Sequence, residues 1–503
     1  MDQSTSQRFS FGWIALTLIV AVAAFYGGWW AKGYVVEPPQ IDATPLFDED
    51  EIPDSEEVAV LVADAPALED GELPLEAFFA LQTNESKAFE RAVKEVREGW
   101  RPGYLPMLLE IARFSQHYHR QWMNRVIDEL SGQHFEGDWD RAWRWTWAQD
   151  YEPHPHYGLF KARLYQELDP RFATYFDDHT ESASIRLDEV RWGGVQRDGI
   201  PPLKNPEMVA ADAKEAAYLD DDNVVFGIEL NGEARAYPKR ILAWHEMFKD
   251  TFGPEGDQVS VNGVYCTLCG SMIVYDTVVD GTHHELGTSG FLYRSNKLMY
   301  DHATESMWST LTGEPVIGPL VGQGIKLNPL HVVTTTWGEW KKKHPDTTVL
   351  SLNTGHRRDY GEGVAYRSYF ATDRLMFTVP QTDDRLLNKD EILALRFGGD
   401  DAKPTAIDTR MLAETPVFQG TLGDADYVVL TDPSGANRVY ESMGLRFETY
   451  EADNTVSSDD DRVWQVTENA LATADGQTLS RLPAHRAFWF GWFSAHPDTE
   501  LIE

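Results

Sequence analysis

The sequence predicts an α+β protein: a membrane-anchor helix, a small α-helical region that resembles HEAT repeats, and then a β-rich domain of two related lobes. Three observations predict this class. An apolar run lies near the amino terminus, helical periodicity follows over residues 75–180, and short apolar runs separated by glycines begin near residue 190. A chain of 503 residues is too long for one ordinary core, so several such units are expected.

The composition of the chain is strongly acidic. Asp and Glu total 81 against 44 Lys and Arg, which gives a formal net charge of -37. A surface of this sign repels phosphate backbones, so we expect no nucleic-acid partner. The acidic residues are spread along the chain, which favours a role in solubility over a cation site.

The first predicted element is a transmembrane anchor over residues 1–32. Phe11–Ala31 is almost wholly apolar and long enough to cross a bilayer as a helix, with Arg8 before it and Lys32 after it. The alternative is a cleaved signal peptide with its small-residue site at Ala21–Ala23. Both interpretations export the remainder. They place the protein in the cell envelope, as a single-pass protein of the inner or cytoplasmic membrane with its bulk extracytoplasmic.

Residues 33–74 are predicted to form an acidic linker. Gly33–Ser86 contains no Lys or Arg, and seven acidic residues crowd between Asp48 and Glu57. Because like charges repel and several prolines interrupt the run, this stretch is expected to collapse poorly and to hold the folded part off the membrane.

Residues 75–180 are predicted to form the HEAT-like helical region. Phe89, Val93 and Val96 repeat at helical spacing, and a second helical run follows the break at Arg101–Gly103. Aromatic core residues between helices are the favoured interpretation of the many tryptophans here, and a ligand groove lined by indoles is the alternative. These tryptophans are Trp122, Trp139, Trp143, Trp145 and Trp147.

Residues 190–503 are predicted to form the β-rich domain. Val224–Leu230 and Ala234–Tyr237 flank Asn231-Gly232, which predicts a hairpin with a tight turn. The other elements predicted in its first half are strands over Val259–Tyr265 and Ser271–Val279 and helices over Ile241–Lys249 and Thr336–Lys343.

An internal repeat indicates two lobes, at roughly residues 190–350 and 380–503. The motif Trp337-x-x-Trp340-x-x-x-His344-Pro345-Asp346-Thr347 returns as Trp489-x-x-Trp492-x-x-x-His496-Pro497-Asp498-Thr499. A weaker match pairs Val225–Pro238 with Ile392–Pro404. Tryptophans at this spacing lie on one helix face, so we interpret the motif as a packing unit.

The chemistry-bearing feature is the pair Cys266 and Cys269, the two cysteines of the chain. Two intervening residues let both sulfurs lie on one side of a tight turn, where they can close a disulfide or chelate a metal ion. Gly270 permits that turn. A thioredoxin-like site would put the pair at a helix start, whereas a strand is predicted to follow here. The second lobe has no cysteine, so a duplication of the fold did not duplicate this chemistry.

Three functions fit these residues. The first is an extracytoplasmic thiol-disulfide oxidoreductase with an envelope redox partner, in which Cys266 attacks and Cys269 resolves. The second is a metal-binding or metal-handling protein that holds zinc or copper with both thiolates and His245. The third is a non-catalytic envelope protein that binds a partner or small-molecule ligand and uses the pair as a structural disulfide. Apart from that metal, the sequence predicts no cofactor.

A series of short segments gives the β-rich domain a recognisable order. They are Asp198–Pro201, Ala234–Pro238, Trp244–Glu246, Tyr265–Gly270, Gly287–Gly290, Met299–Asp301, Met307–Ser309, Thr312-Gly313, Gly318–Leu320, Asp384–Leu386 and Phe488–Trp492. Together they resemble the prokaryotic DUF3179 family, which has no agreed activity. The departure is Thr267, where the family commonly has proline.

The resemblance implies more about chemistry than about substrate. Some family members carry selenocysteine in the cysteine pair, which favours redox chemistry, since selenolate is the better nucleophile. The resemblance also implies that His245, Ser289, Tyr300 and Asp301 are neighbours of the cysteines.

Overall fold

The computed structural model describes residues 71–83, 85–115, 117–176, 183–399 and 402–503. The predicted anchor and nearly all of the predicted linker therefore lie outside the described residues. Among the helices of the described part, none combines the length and the apolar character that a bilayer span requires.

The first described part of the chain is helical. Its helices are α1 Leu75–Phe79, α2 Ser86–Glu98, α3 Leu105–Phe114, α4 His117–Ser131, α5 Trp139–Trp147 and α6 Tyr157–Tyr165. Helix α3 is buried along nearly its whole length and packs against α1, α4, α5 and α6. Helices thus occur where helical periodicity was found, and the likeness to HEAT repeats stays a prediction.

The tryptophans of this part belong to its core. Trp143 and Trp147 of α5 are buried, and the other three pack partly buried against the same cluster. The guanidinium of Arg191 lies 4.2 Å from the Trp143 ring centroid. The interpretation of these tryptophans as core aromatics is confirmed.

The β-rich part begins at residue 190. Its first elements are β1 Val190–Trp192, β2 Leu203–Lys204, β3 Met208–Ala210, β4 Val224–Leu230, β5 Glu233–Pro238, α7 Lys239–His245, β6 Met247–Phe252, β7 Val259–Cys266, β8 Ser271–Asp276, β9 Val278–Val279 and β10 Thr282–His283. The next are β11 Leu286–Tyr293, β12 Asn296–Asp301, β13 Met307–Ser309, β14 Pro315–Ile317, β15 Asn328–Leu330, β16 Val333–Thr336, α8 Trp337–Lys343 and β17 Thr348–Leu350.

The remaining elements complete the chain. They are α9 Arg367–Phe370, β18 Glu391–Leu395, β19 Thr405–Asp408, α10 Thr409–Glu414, β20 Val417–Leu422, β21 Ala425–Thr431, β22 Asn437–Glu441, β23 Phe447–Tyr450, β24 Thr455–Ser458, β25 Val463–Val466, β26 Ala470–Thr473, β27 Thr478–Ser480, β28 Ala484–Phe488, α11 Trp489–Ala495 and β29 Glu500–Ile502. The α+β class with a β-rich carboxyl-terminal part is confirmed.

Most local predictions in the first half hold, and one is wrong. Strands β4 and β5 flank Asn231 and Gly232, whose φ angles of 49° and 77° make the tight turn. The helix predicted over Ile241–Lys249 ends early, because Glu246 adopts a φ of 56° and the chain continues as β6. Pairing of β6 with β7 overrides the helical pattern there.

Two sheets share one strand order. The shared order is β16-β4-β5-β17 in the first half, where β3 adds a fifth strand beside β17, and β28-β18-β19-β29 in the second. In both, the first two pairings are antiparallel and the third is parallel. A short helix follows the third strand of each, and the tryptophan motif follows the first, as α8 or α11. The lobe boundaries themselves stay a prediction.

The repeated tryptophan motif has the same geometry twice. The indole Nε1 of Trp340 donates to Thr347 Oγ1 at 2.8 Å, and that of Trp492 donates to Thr499 Oγ1 at 2.8 Å. All four side chains are buried. The bond ties the helix to the strand that follows the Pro-Asp turn, which is the packing role predicted from the spacing.

The same hydroxyls correct the weaker sequence match. Thr347 Oγ1 donates to Ala234 O at 3.0 Å, and Thr499 Oγ1 donates to Pro404 O at 2.9 Å. Pro404 is therefore the counterpart of Ala234, whereas the sequence match had paired it with Pro238. The connection between β18 and β19 is longer than the Asn-Gly turn, which shifts the register of the second strand.

The helical part shares a continuous core with the sheet β1-β11-β12-β13-β14. The Phe291 ring of β11 packs edge-on against Tyr165, with centroids 5.0 Å apart. The buried ammonium of Lys161 donates to Glu110 Oε1 at 3.0 Å and to Val190 O at 2.8 Å. Apolar packing therefore joins the helices to the sheet, and the Lys161 ammonium, paired with Glu110 inside the helical part, adds a buried hydrogen bond to β1.

Candidate functional site

The cysteine pair closes the hairpin between β7 and β8. Cys266 ends β7 and is the cross-strand partner of Ser271, which begins β8. The Cys269 amide donates to Cys266 O at 3.1 Å, and Gly270 takes the left-handed φ of 64° that the turn needs. The cysteines form a disulfide with Cα atoms 5.3 Å apart. The predicted strand-turn-strand around the cysteines is confirmed.

The disulfide is buried beneath other residues of the described structure. Cys266 keeps 3% exposure and Cys269 keeps none. Residues 366–380, which we call the strap, supply much of the cover and contain α9. The buried side chains that pack with the cysteines are Leu268, Leu292, Tyr369, Val379, Phe488 and Phe490. A reagent can therefore reach the sulfurs only if some of this cover moves.

Tyr369 and Lys389 are two of the side chains that hold the strap over the disulfide. Tyr369 donates its hydroxyl to Leu268 O at 2.8 Å. The Lys389 ammonium donates to the carbonyls of Thr372 at 2.6 Å and Arg374 at 2.7 Å, as well as to that of Tyr369. It also lies 3.4 Å from the Tyr369 ring centroid. Burial lowers the pKa of Lys389 to about 8, so the ammonium is charged at neutral pH.

The second lobe supplies the other wall of the site. The Phe488 amide, just before α11, donates to Cys269 O at 2.7 Å. A Cβ placed on Gly491 of α11 would lie 3.0 Å from Cys269 Cβ, so the helix approaches the cysteine as closely as glycine allows. Asn296 Nδ2 fastens the approach by donating to Gly491 O at 3.0 Å.

The second lobe has its own hairpin at the corresponding place. Strands β21 and β22 are joined by a turn at 432–436, in which Gly435 donates its amide to Asp432 O at 2.8 Å. The Asp432 carboxylate accepts from Lys343 Nζ of α8 at 2.9 Å and from Arg438 Nη1 at 2.9 Å. Each lobe thus presses this turn against the tryptophan helix of the other, and ion pairs hold the second turn where a disulfide closes the first.

Polar groups around the disulfide are poorly matched to it. Cys269 Sγ lies 3.2 Å from Ser295 O, a distance at which a thiol could donate but a disulfide sulfur cannot. Thr267 and Ser271 are fully buried, and within the described structure their hydroxyls have no hydrogen-bond partner. A buried hydroxyl without a partner lowers the stability of the fold, so Thr267 and Ser271 are unusual residues for a structural turn.

His245, proposed as a metal ligand, has both ring nitrogens engaged elsewhere. Nδ1 lies 2.9 Å from Pro201 O and Nε2 lies 2.5 Å from the Tyr360 hydroxyl. Burial lowers the pKa of His245 to about 4. In the part of the chain that the structure describes, no group of three or more His, Cys, Asp or Glu side chains is arranged to hold a metal ion.

The other residues implied by the resemblance make bonds away from the sulfurs. Ser289 Oγ donates to a backbone carbonyl of β12 at 2.6 Å. Tyr300 donates to the Asp198 carboxylate, and Asp301 Oδ2 lies 2.7 Å from His284 Nδ1. These bonds brace β11, β12 and the neighbouring loop, and none of them reaches the cysteine turn.

Sequence reasoning missed three residues of the site and its cover. Tyr369 lies in the segment between the predicted lobes and Lys389 near the start of the second lobe, and neither belongs to a motif. Ser271 could have been found, because a hairpin that turns at Cys266–Gly270 places the next residue opposite the first cysteine.

The fold and the site define an α+β protein in which a buried cysteine hairpin lies at the contact between two β-rich parts, each with a sheet that contains the same four-strand order. Residues 197–499 match the family described as "Protein of unknown function (DUF3179)". The match covers more than half of the chain, which therefore belongs to this family, and the resemblance seen in its motifs is confirmed. No curated protein and no solved structure matches the chain significantly.

Proposed function

We propose that Cys266 and Cys269 form a redox-active disulfide that exchanges with a protein dithiol. The observation that carries the proposal is the hairpin of the second lobe. Its turn occupies the equivalent place and is closed by the ion pairs of Asp432 with Lys343 and Arg438. Since the fold can close this turn without sulfur, the disulfide is not needed to build it.

The energetics point the same way. A disulfide stabilises a fold mainly by restricting the unfolded chain, and the gain grows with the length of the loop that it closes. Cys266 and Cys269 are three positions apart. A loop this short is worth about 2 kcal/mol, against about 4.7 kcal/mol for a loop of about 100 residues. The disulfide is therefore expected to contribute little to the stability of the fold.

The proposed reaction is a two-step exchange. A thiolate of the partner attacks Cys266 Sγ, the bond to Cys269 breaks, and Cys269 leaves as a thiolate that takes up a proton. The partner's second thiolate then attacks the partner's first sulfur, which is bound to Cys266 in the mixed disulfide, and releases Cys266. The protein gains two electrons and one proton, with Cys266 released as a thiolate, and the two partner thiolates become a disulfide; the reverse sequence oxidises the reduced protein.

The surroundings favour these separate roles for the two sulfurs. After reduction, the Cys269 thiol can donate to Ser295 O, which lies 3.2 Å from its sulfur. A hydrogen bond given by the neutral thiol keeps it protonated, as suits a resolving cysteine. Cys266 retains the little exposure that the pair has, which suits the attacking one.

We extend the proposal to the compartment. Disulfides persist in oxidising compartments, and the predicted anchor at Phe11–Ala31 would export the chain. Intact cells that express the full chain should therefore label at Cys266 and Cys269 with a membrane-impermeant maleimide after mild reduction. Labelling that requires cell lysis would contradict an extracytoplasmic site.

A redox titration of the full chain tests the activity. The protein is equilibrated in thiol-disulfide buffers, quenched with acid, alkylated and weighed by mass spectrometry. We expect half-reduction between about -120 and about -270 mV, the range of exchanging proteins. Half-reduction below about -300 mV would show a structural disulfide instead. A Cys266→Ser, Cys269→Ser double variant supplies the control without exchangeable sulfur.

A further inference from the structure

Ser271 is a buried hydroxyl that lacks a partner. The residue is 0% exposed, and its Oγ has no hydrogen bond within the described structure. A buried hydroxyl left unpaired costs free energy, which indicates another state of the protein in which it is paired. A disulfide sulfur is a weak acceptor, whereas a thiolate is a strong one.

Hairpin register places this hydroxyl next to Cys266. Ser271 is the direct cross-strand partner of Cys266 in the antiparallel pair of β7 and β8. Side chains of such partners project from the same face with Cβ atoms about 4.5–5.5 Å apart. Rotation about one side-chain bond can therefore bring the Ser271 hydroxyl within hydrogen-bond reach of the Cys266 sulfur.

The second lobe shows that this pair of positions supports such a bond. Thr431 and Asn437 are the cross-strand partners at the corresponding end of β21 and β22. There, Asn437 Nδ2 donates to Thr431 Oγ1 at 2.9 Å. The equivalent side chains of the first lobe are Cys266 and Ser271. The Ser271 hydroxyl is a donor without an acceptor, and the Cys266 sulfur becomes a strong acceptor only on reduction.

We infer that Ser271 donates a hydrogen bond to the Cys266 thiolate when the disulfide is reduced, and so stabilises the reduced state. The inference rests on the proposed redox function and adds the residue that tunes it. It also explains why the hydroxyl remains unpaired in the oxidised protein. The bond is absent from the disulfide and forms only with the charge that reduction creates.

The consequence is measurable in the variant Ser271→Ala, which removes only the hydroxyl. Hydrogen bonds to charged groups are roughly twice as strong as those between neutral groups. Loss of this bond should raise the pKa of the Cys266 thiol by about one unit. At a pH where that thiol is ionised, the reduced form should become about tenfold less favoured, which corresponds to a potential about 30 mV more negative.

The test uses the full chain reduced with a phosphine, and it follows thiolate formation by ultraviolet absorbance across pH. Thr431→Val is the matched control, because it removes a hydroxyl from the equivalent hairpin pair, which contains no cysteine. Thr267→Val removes the other unpaired hydroxyl of the turn. We expect a shift in Ser271→Ala and none in Thr431→Val, with thermal unfolding showing that each variant is folded.

Two results would overturn the inference: an unshifted thiol pKa in Ser271→Ala, or a shift confined to Thr267→Val. These outcomes are distinct from failure of the proposed function. Because the protein is reduced chemically, the thiol pKa can be read even if the reduction potential of the wild type lies below the exchanging range. In that case the proposed redox role would be contradicted, but the pKa measurement would still show whether Ser271 donates a hydrogen bond to the Cys266 thiolate.

Discussion

The backbone amide of Phe488 donates a hydrogen bond of 2.7 Å to the carbonyl oxygen of Cys269. This bond joins the start of the second lobe's tryptophan helix to the cysteine turn of the first lobe. The disulfide therefore lies at a contact between the two halves of the β-rich part. Any motion that separates them would also expose the sulfurs.

Substitution of Gly270 by alanine should destabilise this contact. The residue has a φ of 64°, and an added Cβ would lie 2.9 Å from the Phe488 ring. Backbone strain of about 1 kcal/mol and displacement of the ring should together cost about 2–3 kcal/mol. Urea unfolding of the full chain measures the loss. Gly281→Ala is the control, since its φ of 79° brings strain but its Cβ meets nothing within 4 Å; equal losses in the two variants would argue against the ring contact.

The two tryptophan motifs should contribute equally to stability. Thr347→Val and Thr499→Val each leave a buried indole N–H without the acceptor that it now has at 2.8 Å. We expect each to lower the free energy of unfolding by about 1–3 kcal/mol, as measured by urea denaturation. Thr421→Val, at an exposed hydroxyl bonded to Asp426, should change it by less than about 0.5 kcal/mol. A loss in one motif alone would contradict their structural equivalence.

Removal of the Lys389 ammonium should loosen the strap and speed reduction of the disulfide. In Lys389→Met the carbonyls of Thr372 and Arg374 lose their charged donor. If opening of the strap becomes easier by about 1.4 kcal/mol, the reduction rate by a small phosphine rises about tenfold. Alkylation and mass spectrometry follow that rate.

The control for the strap is Lys239→Met. The Lys239 ammonium lies 5.0 Å from the Phe370 ring of the same strap. We expect this variant to be reduced at the wild-type rate. A rate unchanged in Lys389→Met would mean that the strap does not limit access to the sulfurs.

His245 should make stability depend on acid pH. Burial lowers its pKa to about 4 from an ordinary value near 6.5, so the unfolded chain binds the proton more tightly. Its contribution is therefore full above about pH 6.5 and is lost as the pH falls to about 4, by about 3 kcal/mol at most. Urea unfolding across this range measures it.

The comparison for that pH dependence is between variants. His245→Gln should lose less stability than the wild type between neutral pH and about pH 4. His134→Gln, at an exposed position of the helical part, should follow the wild type. Parallel curves for the wild type and His245→Gln would contradict the buried, neutral imidazole bonded to Tyr360.

Local structure in the β-rich part was largely predictable because near neighbours decide it. Asn231-Gly232 accepts the positive φ angles of a tight turn, and Thr336 caps α8 by accepting from the Glu339 amide. The error at Ile241–Lys249 shows the limit of such reasoning. Apolar residues there fit a helix, whereas pairing with β7 and β2 makes Met247–Phe252 a strand.

The sequence by itself determined where the cysteines are, that they close a turn between two strands, that one half has them and the other does not, and which family the chain belongs to. Tertiary structure decided what surrounds them. The bond of Tyr369 to Leu268 and the contact of Phe488 with Cys269 join residues more than a hundred positions apart, and the Lys389 bonds depend on how the strap folds over the site. Such contacts arise from how whole sheets pack, and no local periodicity encodes them. Sequence and tertiary structure each determine one property of the Ser271 hydroxyl. Its position opposite Cys266 follows from the hairpin register, and its lack of a hydrogen-bond partner follows from burial.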